Sequence, residues 1–572
     1  MTRAEIVAVF EGIADIMQIK GDDPRRYQTY RRIAGILDTL QEDIHVLYEQ
    51  NELIEIPGIG SSTVEKVGEL IDTGQCEYYE ELKASIPAGV LDLMSIAGVG
   101  PATAARLYQE LNIDSLEALQ QALDAQKLRG LKRMGKKTEE KIREGLEALL
   151  RYRQRKLMGD VLPFAWSSLE ALGTIEDVEE ISLTGSLRRR TETLTEAQMI
   201  TVFGGDTCAA KMKDVLGKIE WVESIDDNWT DSGGSVRLEG GVQLQVEITT
   251  PENFGAELIC RTGSEDHIAG LNRLAEQLGL TKLEPGGSAA WASGKSEEEI
   301  YAALGLPFIV PELREGGGEI QAALAGQLPQ LVEITDIRGD LHVHSTWSDG
   351  VNTIKAMAEA AKEMGHEYIA VCDHSISSKI ANGLSVERVL SKMDVVRLIN
   401  ERIQGIEILM GSEVDILNDG SLDYPEEILE KLDVVIASIH SGFGMDEATM
   451  TQRIITAIEN RFVHMIGHPT GRLLHRREPY QVNIEAVIDA AAGNNTALEI
   501  NAYPDRLDLK DTHARMAKER GVMVAINTDA HGIDNLGLMV YGIYTARRGW
   551  LERKDVLNTL PLAELMGVIN AQ

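Results

Sequence analysis

Seven short segments between Asp340 and His531 hold the residue types that bind divalent metals. They are Asp340-Leu-His342-Val-His344, Ser348-Asp349-Gly350, Cys372-Asp373-His374, Gly411-Ser-Glu413, Ser438-Ile-His440, Gly467-His468-Pro469 and Asn527-Thr-Asp529-Ala-His531. Of 12 histidines, only His45 and His267 lie outside residues 342–531. Imidazole mixed with carboxylate suits manganese, zinc or iron better than magnesium. A His-x-His pair on a strand puts both rings on one face, because strand side chains alternate with period two. Asp529-x-His531 repeats the device. A cluster of divalent ions held this way activates water against a phosphate ester. His366, His464, His475 and His513 fall outside the pattern.

The surrounding sequence must deliver these residues to one place. Residues 335–572 alternate short apolar runs with amphipathic segments. Strands are expected at Asp340–His344, Tyr368–Asp373, Ile408–Val414, Val434–Ile439, Val463–Gly467, Ala497–Asn501 and Met523–Asn527. That alternation predicts a parallel βα architecture. The candidate ligands then lie at the ends of successive strands, where a barrel builds its site.

Residues 1–150 read as helical, with three glycine hairpins. Ile56-Pro-Gly58-Ile-Gly60 precedes a helix through Val64–Ile71, and Ile96-Ala-Gly98-Val-Gly100 precedes one through Ala102–Leu111. A degenerate copy, Gly130 to Gly135, precedes a third through Thr138–Leu149. Glycine lets backbone N–H groups approach a phosphate, and the following helix N-terminus favours an anion. Together the copies point to sequence-independent contact with a DNA backbone. Residues 151–250 mix helix with strands near Glu180–Leu183, Met199–Phe203 and Val236–Thr249. A Gly- and Pro-rich connector, 311–329, leads to the last domain.

The net charge of −35 opposes simple nucleic-acid affinity, which shows as a basic footprint. The pairs and triplets Arg25-Arg26, Arg31-Arg32, Lys132-Arg133 and Arg188-Arg189-Arg190 are local exceptions. The four cysteines form no CxxC pair and read as reduced thiols. With no apolar run near a membrane span and no apolar signal stretch at the start, a cytoplasmic protein is expected, not bound to a membrane.

Over essentially its whole length the chain resembles bacterial family X DNA polymerases, in which a polymerase-beta-like core precedes a C-terminal polymerase-and-histidinol-phosphatase (PHP) domain. The hairpins match the lyase-like and fingers regions. Gly185-Ser186-Leu-Arg188-Arg189 matches the start of the nucleotide-binding palm. Thr262-Gly263-Ser264 and Pro311-Glu-Leu-Arg-Glu315 match the thumb and its exit. The resemblance implies five parts: a lyase-like helix-hairpin-helix domain (1–82), fingers (83–150), an α+β palm (151–250), a thumb with linker (251–333), and a distorted seven-stranded (β/α) PHP barrel (334–572).

The same resemblance assigns roles. His342, His344, Glu413 and Asp529 would bind one metal. Glu413 would bridge to a second with His440 and His468, and Asp349, His374 and His531 would hold a third. Arg472 is a candidate phosphate contact or the partner of a barrel carboxylate. Lys66 matches the family's Schiff-base lysine, and would otherwise face a DNA phosphate. Gly58, Gly60, Gly98, Gly100 and Gly135 would contact DNA. The palm departs from the family. Its Asp-x-Asp pair falls on Glu196 and Gln198, and its third carboxylate on Gln245, with Glu247 two residues on. Magnesium prefers carboxylate oxygens in near-octahedral array. The palm is therefore expected to have lost its magnesium ions. The aromatic pair before Thr-Gly-Ser is Cys260-Arg261. The implied function is metal-dependent 3′→5′ exonuclease and abasic-site or 3′-end processing in DNA repair, on gapped or 3′-ended DNA, by a monomer. Two alternatives stay open: a bifunctional gap-filling polymerase with exonuclease, and a DNA-end scaffold carrying a phosphatase.

Overall fold

The computed structural model describes the chain apart from residues 2, 39, 41–43, 97, 132–133, 204–207, 228, 288 and 571–572. The chain divides into two compact units, Met1–Gln154 and Arg155–Gln572.

The first unit is helical. Its hairpins share one backbone plan. Gly58 and Gly98 take φ of 100° and 88°, which costs glycine little and other residues much. A tight turn then returns N–H to carbonyl three residues back: Ile59 to Ile56, Val99 to Ile96, Met134 to Leu131. The degenerate third copy therefore makes the same N–H-to-carbonyl bond as the two clean ones. Each leads into a helix (Ser61–Thr73, Pro101–Leu111, Lys136–Arg153) whose first turn has no side-chain cap. Lys132-Arg133 lies outside the described residues. The first helix, Arg3–Lys20, serves two cores. Ile6 and Phe10 pack with Ile33, Leu47 and Val67, while Ile13, Ile16 and Met17 pack with residues from Leu82 to Leu146. The regions expected as separate at residue 82 thus share a helix.

The second unit opens with a five-stranded sheet. Its strands are β1 (Val178–Thr184), β2 (Ala197–Phe203), β3 (Val222–Ile225), β4 (Gly233–Leu238) and β5 (Val242–Thr249), in spatial order β1-β2-β5-β4-β3. The single run expected over Val236–Thr249 is a hairpin. Gly240 and Gly241, at φ of 72° and 71°, turn the chain between β4 and β5. A helical region over 254–324 follows, with its own core of Ile259, Leu271, Ile300 and Tyr301.

The last part is a nearly closed parallel barrel. Its strands are β6 (Gly339–Val343), β7 (Tyr368–Val371), β8 (Glu407–Asp415), β9 (Val434–Ser438), β10 (Met465–Ile466), β11 (Ala497–Asn501) and β12 (Val524–Asn527). They neighbour one another in chain order, each pair parallel. A parallel bridge between Val343 and Ala530 and the bond from His344 N–H to the Ala530 carbonyl join β6 to the chain leaving β12. Every position of β6, β7, β9, β11 and β12 is buried, as expected for strands covered on both faces. Among the described residues no helix is long and apolar enough to cross a membrane.

Candidate metal centre

The nine histidines and carboxylates singled out from the sequence converge at the C-terminal ends of these strands. Three groups have ligand atoms within 4.8 Å of one another: His342, His344 and Asp529; His344, Asp349, His374 and His531; and His374, Glu413 and His440. His468 joins through its Nε2, 2.9 Å from Glu413 Oε1. Glu413 is the hub. Its Oε2 lies 3.0 Å from His374 Nδ1, and its Oε1 3.2 Å from His440 Nε2. Asp529 Oδ1 lies 3.0 Å from His344 Nε2. Asp349 Oδ2 stands 3.5 Å from His374 and 3.4 Å from His531.

The grouping differs from the sequence expectation in that two histidines are shared: His344 joins the Asp349 cluster as well as the Asp529 one, and His374 sits against both Glu413 and Asp349. Local geometry explains how so many ligands fit. His342 and His344 point one way from β6. Asp529 and His468 take left-handed backbone conformations, φ of 54° and 28°, that turn their side chains inward just past β12 and β10. Such strain persists where surrounding structure enforces it.

The donor set fits metals. His342 Nε2, both ring nitrogens of His344, His374 Nδ1 and His468 Nδ1 are buried and make no hydrogen bond. A dry, unbonded imidazole nitrogen is costly unless a ligand completes it. The protonation pattern agrees. Burial works against the charge on Glu413, yet His440, His374 and His342 hold its carboxyl well below the usual range. Burial likewise opposes charge on the histidines, but the carboxylates win: Glu413 and Asp349 push His374 up to about 11, and Glu413 and Asp415 push His440 up to about 9. His344, buried beside His531 and His374, falls to about 4. His374 and His440 are thus pushed towards the protonated form and His344 away from it, so the carboxylates draw positive charge of the kind a metal would supply.

A second layer fixes the rings, and the sequence reading missed it. Glu499 on β11 accepts from His342 Nδ1 at 2.7 Å, from the His468 backbone N–H at 2.7 Å and from Asn527 at 2.9 Å. Asp415 takes His440 Nδ1 at 2.5 Å. Asn501 donates to Asp529 Oδ2 at 2.9 Å, and the Asp529 carbonyl holds His531 Nδ1 at 2.8 Å. Such partners set ring orientation and ligand basicity. The available signal was a charged residue, Glu499, inside the buried strand Ala-Leu-Glu-Ile-Asn. Asp340 and Asp373 also serve as buried scaffolding, Asp373 with Lys392 at 2.7 Å.

Arg472 requires a correction. Its guanidinium makes two bonds to Glu192, at 2.7 and 3.3 Å, and another to the Leu507 carbonyl. Its hydrogen-bonded carboxylate partner is thus Glu192 of the palm, with barrel Asp508 near enough to feel its charge.

In the palm, Gln198 pairs in register with Gln245 on the neighbouring strand and with Thr184 on the other side. Glu247 stands opposite Ile200, so the register sets Gln245, not Glu247, beside Gln198. The side chains are committed to one another. Gln198 donates to Glu196 at 2.6 Å, and Gln245 accepts from Ser235 at 2.6 Å. Glu247 pairs with Arg261 at 2.6 Å. Gly185, at φ of 62°, lies directly under the Gln198 amide. The arginines after Ser186 are engaged too. Arg188 bonds Glu297 and Thr262 Oγ1, with Glu297 also held by buried Arg314. Arg189 bonds Glu315 and the Thr262 carbonyl. Gly263 follows, and Ser264 caps the helix Glu265–Gln277 through His267 N–H. Lys66, in the first unit, donates to Ser62 Oγ at 2.9 Å and lies over the Tyr78 ring.

Comparison with known proteins follows the same divisions. Residues 1–76 match a helix-hairpin-helix domain, 90–148 a SAM-like helix-hairpin-helix tandem, 257–315 the DNA polymerase beta thumb, and 340–503 the PHP domain. The chain is 37% identical over 572 residues, 99% of both chains, to the DNA polymerase/3′-5′ exonuclease PolX of Bacillus subtilis (strain 168). Its barrel is 33% identical over 231 residues to a "probable phosphatase" of Thermoanaerobacter sp. (strain X514), 38% of this chain and 89% of that one. A "probable phosphatase" of Shewanella sp. (strain MR-4) is 29% identical over 236 residues, 40% of this chain and 89% of that one. With the hairpins, the thumb and the histidine-lined barrel in one order along the full length, the chain belongs to the family X DNA polymerases that carry a C-terminal PHP domain.

Proposed function

We propose that this protein is a DNA-repair nuclease that removes nucleotides or blocking groups from 3′ ends at its PHP centre, with a palm that no longer transfers nucleotides. The observation that carries this reading is the contrast between two sites in one unit. The barrel centre presents nine convergent ligands with orphaned imidazole nitrogens. In the palm, Gln198 and Gln245 lie side by side at the positions where the family resemblance would put carboxylates, and nearby Glu247 pairs with Arg261.

Manganese, zinc or iron held in the centre would activate water and polarise the phosphate. The chain's own residues supply the rest. Glu413 draws the histidines of four strand ends to one point. Glu499 and Asp415 fix which nitrogen of His342 and His440 faces inward. Burial of His342, His344 and Glu413 keeps bulk water from the array, which strengthens each electrostatic contact within it. The glycine hairpins of the first unit are the DNA-holding part of this reading, through backbone amides at uncapped helix starts. That placement reconciles DNA binding with a net charge of −35, because backbone amides need no surplus of basic side chains.

The palm arginines support the loss of polymerase function. Nucleotidyl transfer needs cations free to meet a triphosphate. Arg188 and Arg189 are bound to Glu297 and Glu315 instead.

The test is a 5′-labelled primer in gapped DNA with manganese, with and without four dNTPs, using wild type and His342→Ala. Shortening in both conditions by wild type only, without extension, is the expected result. Extension by wild type, or undiminished shortening by His342→Ala, overturns the reading. A second reading, a phosphatase of small monoesters, is favoured by the barrel's likeness to the probable phosphatases. It requires free phosphate esters to compete far better than DNA ends.

A further inference from the structure

Phosphate hydrolysis needs a cation that grips the substrate, and the residue first expected to do so, Arg472, is occupied by Glu192. The neighbouring arginines are occupied as well. Arg476 pairs with Asp505 at 3.3 Å. Arg477 donates to the Gly471 carbonyl and lies over the Phe443 ring. Arg506 differs: its Nη1 is shut off from solvent and has no hydrogen-bond partner among the described residues.

The position of Arg506 is set by the loop that leaves β11. Asn501 and Asp508 bridge back to each other, and a turn closes between them through Arg506 N–H and Leu507 N–H on the Tyr503 carbonyl. Leu507, at φ of 45°, completes the reversal. The loop lies against the one that carries His468. Asp508 Oδ2 accepts from Thr470 N–H at 2.9 Å, and the Asp505 carbonyl from Leu474 N–H. Its base is tied to the centre, since Asn501 holds Asp529. The guanidinium is close enough to act electrostatically on His468, Tyr480 and Tyr503. Asp508, the acid nearest in sequence after Arg506, accepts from Thr470 N–H through Oδ2, and its buried Oδ1 is not hydrogen-bonded to Arg506 Nη1.

A guanidinium with a buried, unbonded Nη1 near residues that would hold divalent ions offers a donor that an anion can complete. The guanidinium fork matches two phosphate oxygens, and a dry setting strengthens such bonds. We propose that Arg506 is the substrate-phosphate anchor of this centre, binding non-bridging oxygens of the phosphate at the 3′ end. The assignment rests on the phosphoesterase reading above.

The experiment uses the full-length, manganese-loaded protein and inorganic phosphate as the probe, followed by calorimetry. Arg506→Met and Arg506→Lys are compared with wild type, with bound manganese counted by mass spectrometry and primer shortening measured in parallel. The expected result is phosphate binding weakened at least tenfold in Arg506→Met at unchanged manganese content. Arg506→Lys should recover part of it, because it keeps charge and loses the fork. Equal phosphate affinity in wild type and Arg506→Met, in an enzyme that shortens DNA, refutes this assignment alone. So does loss of manganese in both variants, which would make Arg506 a support for His468. A wild-type protein that neither shortens DNA nor binds phosphate refutes the phosphoesterase reading and this assignment with it.

Discussion

Replacing Glu499 by Gln tests whether the ring-orienting layer controls metal affinity. Glu499 is wholly buried and accepts three bonds: from His342 Nδ1, from the His468 backbone and from Asn527. A glutamine of the same size keeps one acceptor oxygen and turns the other into a donor. Either the bond to His342 Nδ1 or the bond to His468 N–H is then lost, together with the charge. A hydrogen bond to a charged group contributes about 1.5–3 kcal/mol. Loss of an orienting partner reduces metal affinity about 10–100-fold, which is about 1.4–2.8 kcal/mol. The two estimates coincide. The assay is primer shortening as a function of free manganese, with bound metal counted after dialysis. The manganese midpoint should rise about 10–100-fold, as the orienting-partner range requires, with much of the rate restored at saturating metal. Asp415→Asn should shift the midpoint less, because Asp415 holds His440 alone. An unchanged midpoint in Glu499→Gln would refute the argument, since it would mean that His342 and His468 are oriented without it.

Two further outcomes follow from the same structure. With His374 at about 11 and His440 at about 9, the metal-free protein carries protons there at pH 7.5. Ligating histidines must be neutral, so loading releases protons and affinity climbs as pH rises towards 9. Both folded values lie above the unfolded one, so their stabilisation of the metal-free protein is complete below about pH 6.5 and fades through about 9 and then 11. Calorimetry in two buffers of different ionisation enthalpy, and melting with and without manganese, measure both effects; a buffer-independent enthalpy refutes the first. Arg188→Ala strips one of two arginines from buried Glu297. It should destabilise the second unit by about 1–3 kcal/mol, the range for a weakened buried acceptor, seen as a lower Tm with primer shortening retained below it; an unchanged Tm contradicts the locked-arginine account.

Much of the barrel was legible because its strands are short apolar runs ending in a ligand. All seven expected strands correspond to observed ones, though Val463–Gly467 shrinks to Met465–Ile466 as the chain curls towards His468. The metal-ligating types announced themselves by spacing. The orienting layer did not, since a lone Glu499 or Asp415 carries no motif and gains its meaning only from a ring on another strand. Arg472 and Arg506 show the same limit from the other side. Both are arginines in barrel loops, and only the partner each meets across the fold distinguishes a tether from an unpaired cation. The hairpin between β4 and β5 was hidden because two strands flanking Gly240-Gly241 read as one alternating run.

The core of the five-stranded sheet includes side chains that belong to the barrel. Leu507 and Tyr541 are buried in it, and Tyr544 of the helix Met539–Arg548 carries the Arg190 guanidinium on its ring. Arg548 from the same helix bonds Glu315, which Arg189 also holds. The barrel has thus lent part of its exterior to its neighbour's interior. The phosphatases it resembles end near the barrel's own length, but this barrel is not a portable cassette. Cut free at residue 334, it would expose an oily flank and bare arginines. Under the proposed function, a palm kept for masonry rather than chemistry would retain its Gly-Ser-x-Arg-Arg signature for as long as the wall stands. In this lineage of folds the motif records what holds the molecule together and gives no notice of whether nucleotides still pass through it.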